Sequence, residues 1–297
     1  MPQIQLTNVG SQKRIDSYLA EVLEIPRNQI QKWIENGKVC VEGSVVRKNY
    51  KLKGEEKITF EPIEFEKPNL KVSDCDIKIL YEDEFLVVVD KPAGIVVHPG
   101  AANEEFSVVG ALLYRGVKLS DIGAPLRPGV VHRIDKDTSG VIVLAKDNNA
   151  HFNLANQFAA HICKRYYIGV CEGHLKDYYG TIETQIGRHL KNRKIFSVAP
   201  GKHAITHYKV IMRLKNASVV RFELETGRTH QIRVHMQYLN NPLIGDNVYS
   251  KSKSKLITRQ ALHAFYLGFY HPTTNKFLKF YSKLPQDMLK LIEFQNN

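Results

Sequence analysis

Short apolar runs recur between residues 77 and 227, and their spacing limits the folds that this chain can adopt. Six of these runs have the length and the β-branched or aromatic composition of strands: IKILYED, FLVVVDKP, GVIVLAKD, YYIGVCEG, HYKVIMRL and VVRFELETG. Helical stretches separate only some of them, so the regular alternation of a parallel strand–helix fold is missing. The sequence therefore predicts an α+β domain over residues 77–297 with a mixed, mostly antiparallel sheet.

The first 60 residues have a different, helical pattern. Two segments carry apolar residues at helical spacing, namely Ile15, Leu19, Val22 and Leu23 in the first and Ile30, Trp33 and Ile34 in the second. Gly37 can adopt the left-handed conformation that ends a helix, and KVCVEGSVV indicates a hairpin around a Glu42-Gly43 turn. We predict a helix–helix–hairpin domain over residues 1–62, followed by a linker over residues 63–76.

The chain is strongly basic, with a formal net charge of +12. Such a charge on a folded chain favours a polyanionic partner. Nucleic acid is a better candidate than a membrane, because no apolar run reaches the ~18 residues of a membrane span. The first residues also lack a basic segment followed by an apolar stretch, so we expect a cytoplasmic protein. The four cysteines have no CxxC spacing, which argues against a structural zinc site and fits a reducing compartment.

The segment HRIDKDTSG places a carboxylate, Asp135, between Arg133 and Lys136, directly before an apolar strand. Adjacent positive charge keeps a carboxylate ionised, which suits a nucleophile or a charge stabiliser rather than a general acid. His132, Asp135 and Asp137 could be considered as metal ligands. No second group of ligands accompanies them, and basic surroundings repel cations. We therefore predict no metal site. Taken alone, an Asp-Lys-Asp segment near a turn is usually solvated surface.

The segment ELETGRTHQIRVHM predicts a strand, a turn and a helix. Val220, Phe222 and Leu224 alternate toward one side of the strand, and Ile232, Met236 and Leu239 form the apolar face of the helix. His230 and Arg233 lie three residues apart and so share another face near the start of the helix. An arginine there is a suitable partner for a carboxylate or a phosphate. An ordinary surface arginine is the alternative.

The first domain resembles the S-four-type (S4) RNA-binding domain. The matching features are RID at residues 14–16, an arginine in the second helix, GxVxVxG at 37–43 and a closing GxxxI at 54–58. Pro26 and Glu42 depart from the pattern, because a serine and an asparagine are more usual there. The resemblance implies that Arg14 and Arg27 contact RNA.

Six motifs occur in the order seen in RluA-type pseudouridine synthases, in particular the large-subunit ribosomal RNA branch that carries an S4 domain. They are YEDEFLVVVDKPAGIVVHPG, HRIDKDTSGVIVLAK, KRYYIGVCEG, TGRTHQIRVHM, NPLIGD and LHAFYLGFYHP. The resemblance extends from about residue 10 to about residue 285. It implies an enzyme that converts uridine in RNA to pseudouridine, with no cofactor, no membrane association and no obligate protein partner.

The resemblance also implies roles for individual residues. Asp135 is the expected catalytic aspartate, and Arg133 is expected to displace or replace the target base. Tyr167 is the expected active-site tyrosine, with the adjacent Tyr166 left open. Arg233 is expected to pair with Asp135.

Five further residues complete the expected site. Arg228 and His230 should face RNA, Leu262 should pack against the uracil, and Lys91 with Pro92 should shape the loop beneath the catalytic strand. We expect phosphate contacts from Lys202 and from the basic run GRHLKNRK, which contains Arg188, Lys191, Arg193 and Lys194.

The expected substrate is large-subunit ribosomal RNA, free or within an assembling subunit, and transfer RNA stays open. Two other functions compete with this hypothesis. A non-catalytic RNA-binding or ribosome-assembly protein would use the same basic surfaces. A nucleosidase or glycosidase would need a second carboxylate to activate water. Asp137 is too near Asp135 in sequence to lie across a sugar ring from it.

Overall fold

The computed structural model describes residues 4–8, 10–23, 25, 27–61, 70–100, 106–189, 192 and 195–296. The chain divides into two compact units, Met1–Pro68 and Asn69–Asn297. The first half of the expected linker, residues 63–69, lies outside the described residues, as does Pro26, so the predicted domain limits stay a prediction. Within the described part, no helix is both long and apolar enough to cross a membrane.

The first unit packs two helices on a small antiparallel sheet. The helices are α1 (Ile15–Val22) and α2 (Arg27–Glu35), and the strands are β1 (Ile4–Thr7), β2 (Val39–Val41), β3 (Ser44–Val45) and β4 (Lys57–Phe60). The strand order is β1-β4-β2-β3. The predicted helices and hairpin are confirmed, whereas β1 and β4 were not predicted. Each of these two strands has only four residues, which is too short for a clear alternation.

Both predicted turns of this unit have the expected backbone. After α2, Gly37 has φ +68° and donates its N–H to Ile34, while Lys38 donates to Trp33, as in a Schellman motif. Glu42 and Gly43 both have positive φ, which matches the twist of a two-residue hairpin. The prediction for Val22 was wrong: it is 47% exposed, because it ends α1 at the edge of the apolar face.

The second unit is built on a ten-stranded sheet with the order β10-β9-β11-β12-β8-β13-β7-β6-β5, and β14 pairs with β13. The strands are β5 (Lys78–Glu82), β6 (Leu86–Lys91), β7 (Ser139–Ala145), β8 (Lys164–Glu172), β9 (Tyr179–Arg188), β10 (Phe196–Val198), β11 (Lys202–Arg213), β12 (Ala217–Leu224), β13 (Leu262–Tyr270) and β14 (Phe277–Tyr281). The pair β7–β13 is parallel, and the other described pairs are antiparallel. The predicted α+β class is confirmed, and all six predicted strands are present.

Helices cover both faces of this sheet: α3 (Val108–Tyr114), α4 (Asn148–Ala159), α5 (Gln231–Tyr238) and α6 (Gln286–Asn296). One face of β12 is buried as predicted, with Val220 and Phe222 fully enclosed in the core that includes α5 residues. On the opposite face, Val219 packs in a second core with Met288 of α6. Because both faces are buried at β6 and β7, the apolar pattern of these two strands is nearly continuous rather than alternating.

Gly140 fixes the point at which the HRIDKDTSG loop joins the sheet. It has φ +119°, and a Cβ atom placed on it would lie 2.1 Å from the carbonyl oxygen of Ala264. Gly140 and Ala264 are register partners in the parallel pair β7–β13. On its other side Gly140 pairs with Lys91 of β6. Only glycine allows this approach of two backbones, so it determines where the loop containing Asp135 ends.

We expect Gly140→Ala to destabilise the second unit by at least about 4 kcal/mol, because it combines backbone strain with a collision against main chain. Gly116→Ala is the matched control. Gly116 also has positive φ, but its Cβ would meet no atom within 4 Å, so strain alone should cost about 1–2 kcal/mol. Urea unfolding followed by far-UV circular dichroism measures both. Equal losses for the two variants would contradict the proposed collision.

Candidate active site

A cleft of about 490 Å³ lies where the loop at residues 131–138, strand β8 and the start of α5 meet. Seven residues that the resemblance assigns to the site line it: Arg133, Asp135, Tyr167, Arg228, His230, Arg233 and Leu262. These residues come from four segments that are far apart in sequence. The fold therefore brings most of the expected site residues into one place.

An ion pair between Asp135 and Arg233 lies in the cleft. The Nη1 atom of Arg233 is 3.1 Å from Oδ2 of Asp135. The side chain of Arg233 is 6% exposed and that of Asp135 is 18% exposed, so the carboxylate is the member that a ligand can reach. The predicted contact between these two residues is present, across 98 positions of sequence.

A second carboxylate, Asp246, holds Arg233 from behind. Nε and Nη2 of Arg233 donate to its two oxygens at 2.7 and 2.9 Å. Asp246 also accepts backbone N–H groups from Val248 and Tyr249. Burial acts to lower the pKa of Arg233, but Asp246 and Asp135 outweigh it and raise that pKa. Arg233 is therefore a fixed cation with one nitrogen left for Asp135.

Sequence reasoning missed the role of Asp246. The motif NPLIGD was noted, but nothing in its spacing assigns the aspartate a partner. A buried arginine needs a compensating charge, and a search for the acid that compensates Arg233 would have been the available signal. Asp246 lies 13 residues after Arg233, beyond the end of α5, so helical periodicity could not connect them.

His230 lies beside the same carboxylate, with Nε2 3.9 Å from Oδ2 of Asp135. Its backbone is left-handed, with φ +58°. The Tyr249 hydroxyl accepts the N–H of Phe196 and lies 2.8 Å from Nδ1 of His230. Since the hydroxyl can then donate to Nδ1, the histidine proton is placed on Nε2, toward Asp135. Burial lowers the pKa of His230, so this neutral form is favoured.

The two adjacent tyrosines of β8 point to opposite faces of the sheet. Tyr167 is 7% exposed and lines the cleft, and burial raises its pKa to about 12, so its hydroxyl keeps its proton at neutral pH. Tyr166 stacks against Phe265 and Tyr266 on the other face. Leu262, at the start of β13, adds an apolar wall to the cleft. Of the two tyrosines, the geometry thus offers Tyr167 to a ligand.

Two arginines lie nearer the opening of the cleft. Arg133 is exposed, as a residue that enters a nucleic acid must be. Arg228 is half-buried, and its Nε donates to the carbonyl oxygen of His203 at 2.8 Å. Both therefore present positive charge where RNA would approach.

Lys91 does not line the cleft. It is fully buried, and Nζ donates to the carbonyl oxygens of Pro92, Ile95 and Lys136 at 2.7–2.8 Å. The ammonium thus joins its own loop to the residue that follows Asp135. This arrangement fits the loop-shaping role implied by the resemblance and leaves Lys91 no surface for RNA.

Two further expected RNA contacts, Arg14 and Arg27, lie in the first unit. Arg14 and Arg27 both bind the buried carboxylate of Asp16, at 3.0 Å in each case. Burial acts to raise the pKa of Asp16, but hydrogen bonds from Gln31, Arg14 and Arg27 outweigh it and lower that pKa. One carboxylate serves two arginines, so the cluster keeps a surplus positive charge on half-exposed side chains.

His132 faces the sheet rather than the cleft carboxylate. Its Nε2 accepts the backbone N–H of Val143, its ring stacks on Phe158 with centroids 4.2 Å apart, and burial lowers its pKa to about 3. Its role in HRID is therefore structural. Among the residues that the structure describes, no group of three His, Cys, Asp or Glu side chains could hold a metal ion.

The fold and this cleft define an α+β protein in which a partly exposed carboxylate lies among arginines. Comparison with known families agrees: a model described as RNA pseudouridylate synthase matches residues 85–238, and the S4 domain model matches residues 13–58. The chain belongs to the RNA pseudouridine synthase family, and it is an RNA pseudouridine synthase with an S4 RNA-binding domain. The resemblance found in the sequence is confirmed.

Relatives match over nearly the whole chain. An uncharacterized RNA pseudouridine synthase of Bacillus subtilis is 42% identical, covering 99% of this chain and 98% of the relative. Ribosomal large subunit pseudouridine synthase D of Zymomonas mobilis is 43% identical, covering 98% and 96%. Among solved structures, human RNA pseudouridylate synthase domain containing 1 has a TM-score of 0.58 at 22% identity, covering 74% of this chain and 94% of that one. This last likeness concerns the fold alone.

We expect Asp246→Asn to destabilise the second unit by about 3 kcal/mol, because it removes the main compensating charge of a buried arginine. Asp135→Asn should cost less, since Asp246 still compensates Arg233 and the Asp135 side chain is partly exposed. Urea unfolding of the two isosteric variants measures the difference. If Asp135→Asn proves the more damaging, Asp246 is not the residue that holds Arg233.

Proposed function

We propose that this enzyme isomerises uridines in large-subunit ribosomal RNA, with Asp135 as the catalytic carboxylate. One observation carries the proposal: Asp135 is paired with a fixed arginine and still opens into a cleft. The pairing holds the carboxylate in one orientation, and the small remaining exposure limits its contact with water. Both conditions favour attack on, or stabilisation of, an electron-poor sugar carbon.

The reaction is balanced without a redox partner or a group donor. The bond between N1 of uracil and C1′ of ribose breaks, the base turns, and a bond forms between C5 and C1′. The proton on C5 leaves to solvent, and N1 gains one. Asp135 holds the sugar between these steps by covalent or electrostatic means, as a glycosidase nucleophile does. Tyr167, which keeps its proton, packs against the base as it turns.

The carboxylate content of the cleft favours isomerisation over hydrolysis. Among the described residues that line the cleft, Asp135 is the only carboxylate. A glycosidase needs a second one to activate water. Without it, the severed base can recombine with its own ribose. The nucleosidase alternative predicts free uracil among the products.

We further propose that the target uridine is flipped out of its helix to reach the cleft. Arg133, exposed at the opening, takes the place of the base, and Leu262 packs against the uracil inside. His230 lines the cleft beside Asp135, and Arg228 contacts the RNA backbone. Separating a base from its neighbours costs a few kcal/mol, which contacts along the basic surface can offset.

The choice of RNA rests on relatives and on charge. Two related proteins, one from Zymomonas mobilis and one from Vibrio parahaemolyticus, are named ribosomal large subunit pseudouridine synthase D. We propose the same class of substrate here, bound in the cytoplasm by residues 1–62 and modified by residues 77–297. Arg188 and Lys202 of the basic region lie among the described residues, whereas Lys191, Arg193 and Lys194 lie outside them.

Tritium release tests the assignment of Asp135. A large-subunit ribosomal RNA transcript labelled with tritium at C5 of uridine should lose label with the wild type. Asp135→Asn should slow this release by at least about 10³-fold, as loss of a nucleophile does. Asp137→Asn, which removes a charge from the same loop outside the cleft, should retain most of the activity. Reverse-transcription stops after carbodiimide treatment then locate the product.

Equal release by the wild type and Asp135→Asn would overturn the catalytic assignment. Wild-type protein that binds the transcript without releasing label would favour the non-catalytic RNA-binding alternative. Release of free uracil would favour the nucleosidase. Label lost from transfer RNA but not from the ribosomal transcript would move the substrate to that class.

We expect Arg27→Met to weaken binding to the same transcript without changing the single-turnover rate at saturating enzyme, because Arg27 lies in the S4 unit. The slope of log K against log[KCl] should become shallower by about 0.7–0.9 if one phosphate contact is lost. Lys38→Met is the control, since Lys38 is paired with Glu61 at 2.6 Å in the same unit. A slope that changes equally in both variants argues against a specific contact by Arg27.

A further inference from the structure

A second buried arginine, Arg165, lines the cleft without a role in the reaction described above. It lies on β8 two positions before Tyr167, on the same face of the strand. It is 8% exposed. Sequence reasoning treated KRYY only as part of a strand and a motif, and assigned this arginine nothing.

Arg165 has no carboxylate within ion-pair distance among the described residues. Its Nη2 donates to the carbonyl oxygen of Glu225 at 2.6 Å and more weakly to that of Leu224 at 3.5 Å. Its Nε is buried and has no hydrogen-bond partner. Arg233, in contrast, has two carboxylates. Of the two buried arginines in the cleft, Arg165 is the one that lacks a compensating charge.

The guanidinium of Arg165 is held in place by its surroundings. It lies over the ring of Phe158, 5.6 Å from the centroid. On another side it approaches Gly227, where a Cβ atom would lie 2.6 Å from Nη1. The glycine of TGRT therefore leaves the space that the guanidinium occupies. Burial lowers the pKa of Arg165, yet an arginine in a protein stays charged at neutral pH.

A buried charge without a counter-charge is costly, so its presence in a cleft indicates an anionic ligand. The carboxylate of Asp135 is already neutralised by Arg233. A uracil carbonyl could accept a hydrogen bond from Arg165, but it would leave the charge uncompensated. The anions that RNA brings into a cleft are its phosphodiesters, and a guanidinium binds them with paired donors.

We propose that Arg165 forms a phosphate subsite in the cleft, which binds a phosphodiester adjacent to the uridine being modified. The inference rests on the proposed function, because it requires that uridine to enter the cleft. Arg165 and Tyr167 are separated by two residues, or about 6–7 Å along the strand. One nucleotide can bridge such a distance, with its base against Tyr167 and its phosphate on Arg165.

Salt dependence of RNA binding tests the subsite. The full-length protein is bound to the large-subunit ribosomal RNA transcript in filter assays at increasing KCl. Arg165→Met should make the slope of log K against log[KCl] shallower by about 0.7–0.9, the amount expected for one lost phosphate contact. Arg165→Lys keeps the charge and should keep the wild-type slope. Arg165→Gln, which can still donate to the Glu225 carbonyl, replaces Arg165→Met if that variant does not fold.

Arg221→Met is the matched control, because Arg221 is register partner of Ile168 on the adjacent strand and lies outside the cleft. Its slope should equal that of the wild type. If Arg165→Met and Arg165→Gln both keep the wild-type salt dependence of binding, the subsite is overturned. It is also overturned if these variants lose only single-turnover rate at saturating enzyme, because that result indicates contact with the base or the sugar. Filter binding needs no turnover. Tritium release can therefore contradict the role of Asp135 while filter binding supports the subsite, and filter binding can contradict the subsite while tritium release supports the role of Asp135.

Discussion

The ion-paired group Asp135–Arg233–Asp246 is the constraint on which the site depends. Arg233 is nearly inaccessible to solvent, and its three side-chain nitrogens donate hydrogen bonds to two carboxylates. These bonds fix its position from two sides. The group joins the loop before β7, the first turn of α5 and the segment after α5. Because Asp246 is fully buried and Asp135 is not, the arrangement has a closed side and an open side. The open side is the one that a ligand can reach.

The sheet supplies the precision that this group needs. Gly140 lets β7 and β13 approach closely at the point where the loop containing Asp135 ends. Its register partner on β6 is Lys91, whose ammonium binds the carbonyl oxygen of Lys136, next to Asp135. Two residues that never reach the cleft thus set the position of the loop. Such support from a rigid scaffold is typical of sites that must hold reacting groups accurately.

The spacing of residues along the chain was sufficient to predict most helices and strands, but not which charged residues contact one another across the fold. The six apolar runs, the cap at Gly37 and the apolar face of α5 follow from residue spacing, and the structure contains them. Strands β9, β10, β13 and β14 were missed. Tyr179–Arg188 alternates only weakly, LHAFYLGFY is apolar almost throughout, and β10 and β14 have only three and five residues. Asp246 and Arg165 were missed for another reason. Their importance lies in which charges they meet, or do not meet, across the fold, and periodicity does not encode this.

The arginines that line the cleft differ in how their charge is compensated. Arg233 is compensated twice and can only orient Asp135. Arg165 is buried and has no carboxylate partner among the described residues, while Arg133 is exposed. If Arg165 binds a phosphate as proposed, that anion has a partner other than Arg233. Asp246 behind Arg233 and the separate arginine on β8 then give each anion its own partner, so a phosphate need not compete with Asp135 for Arg233.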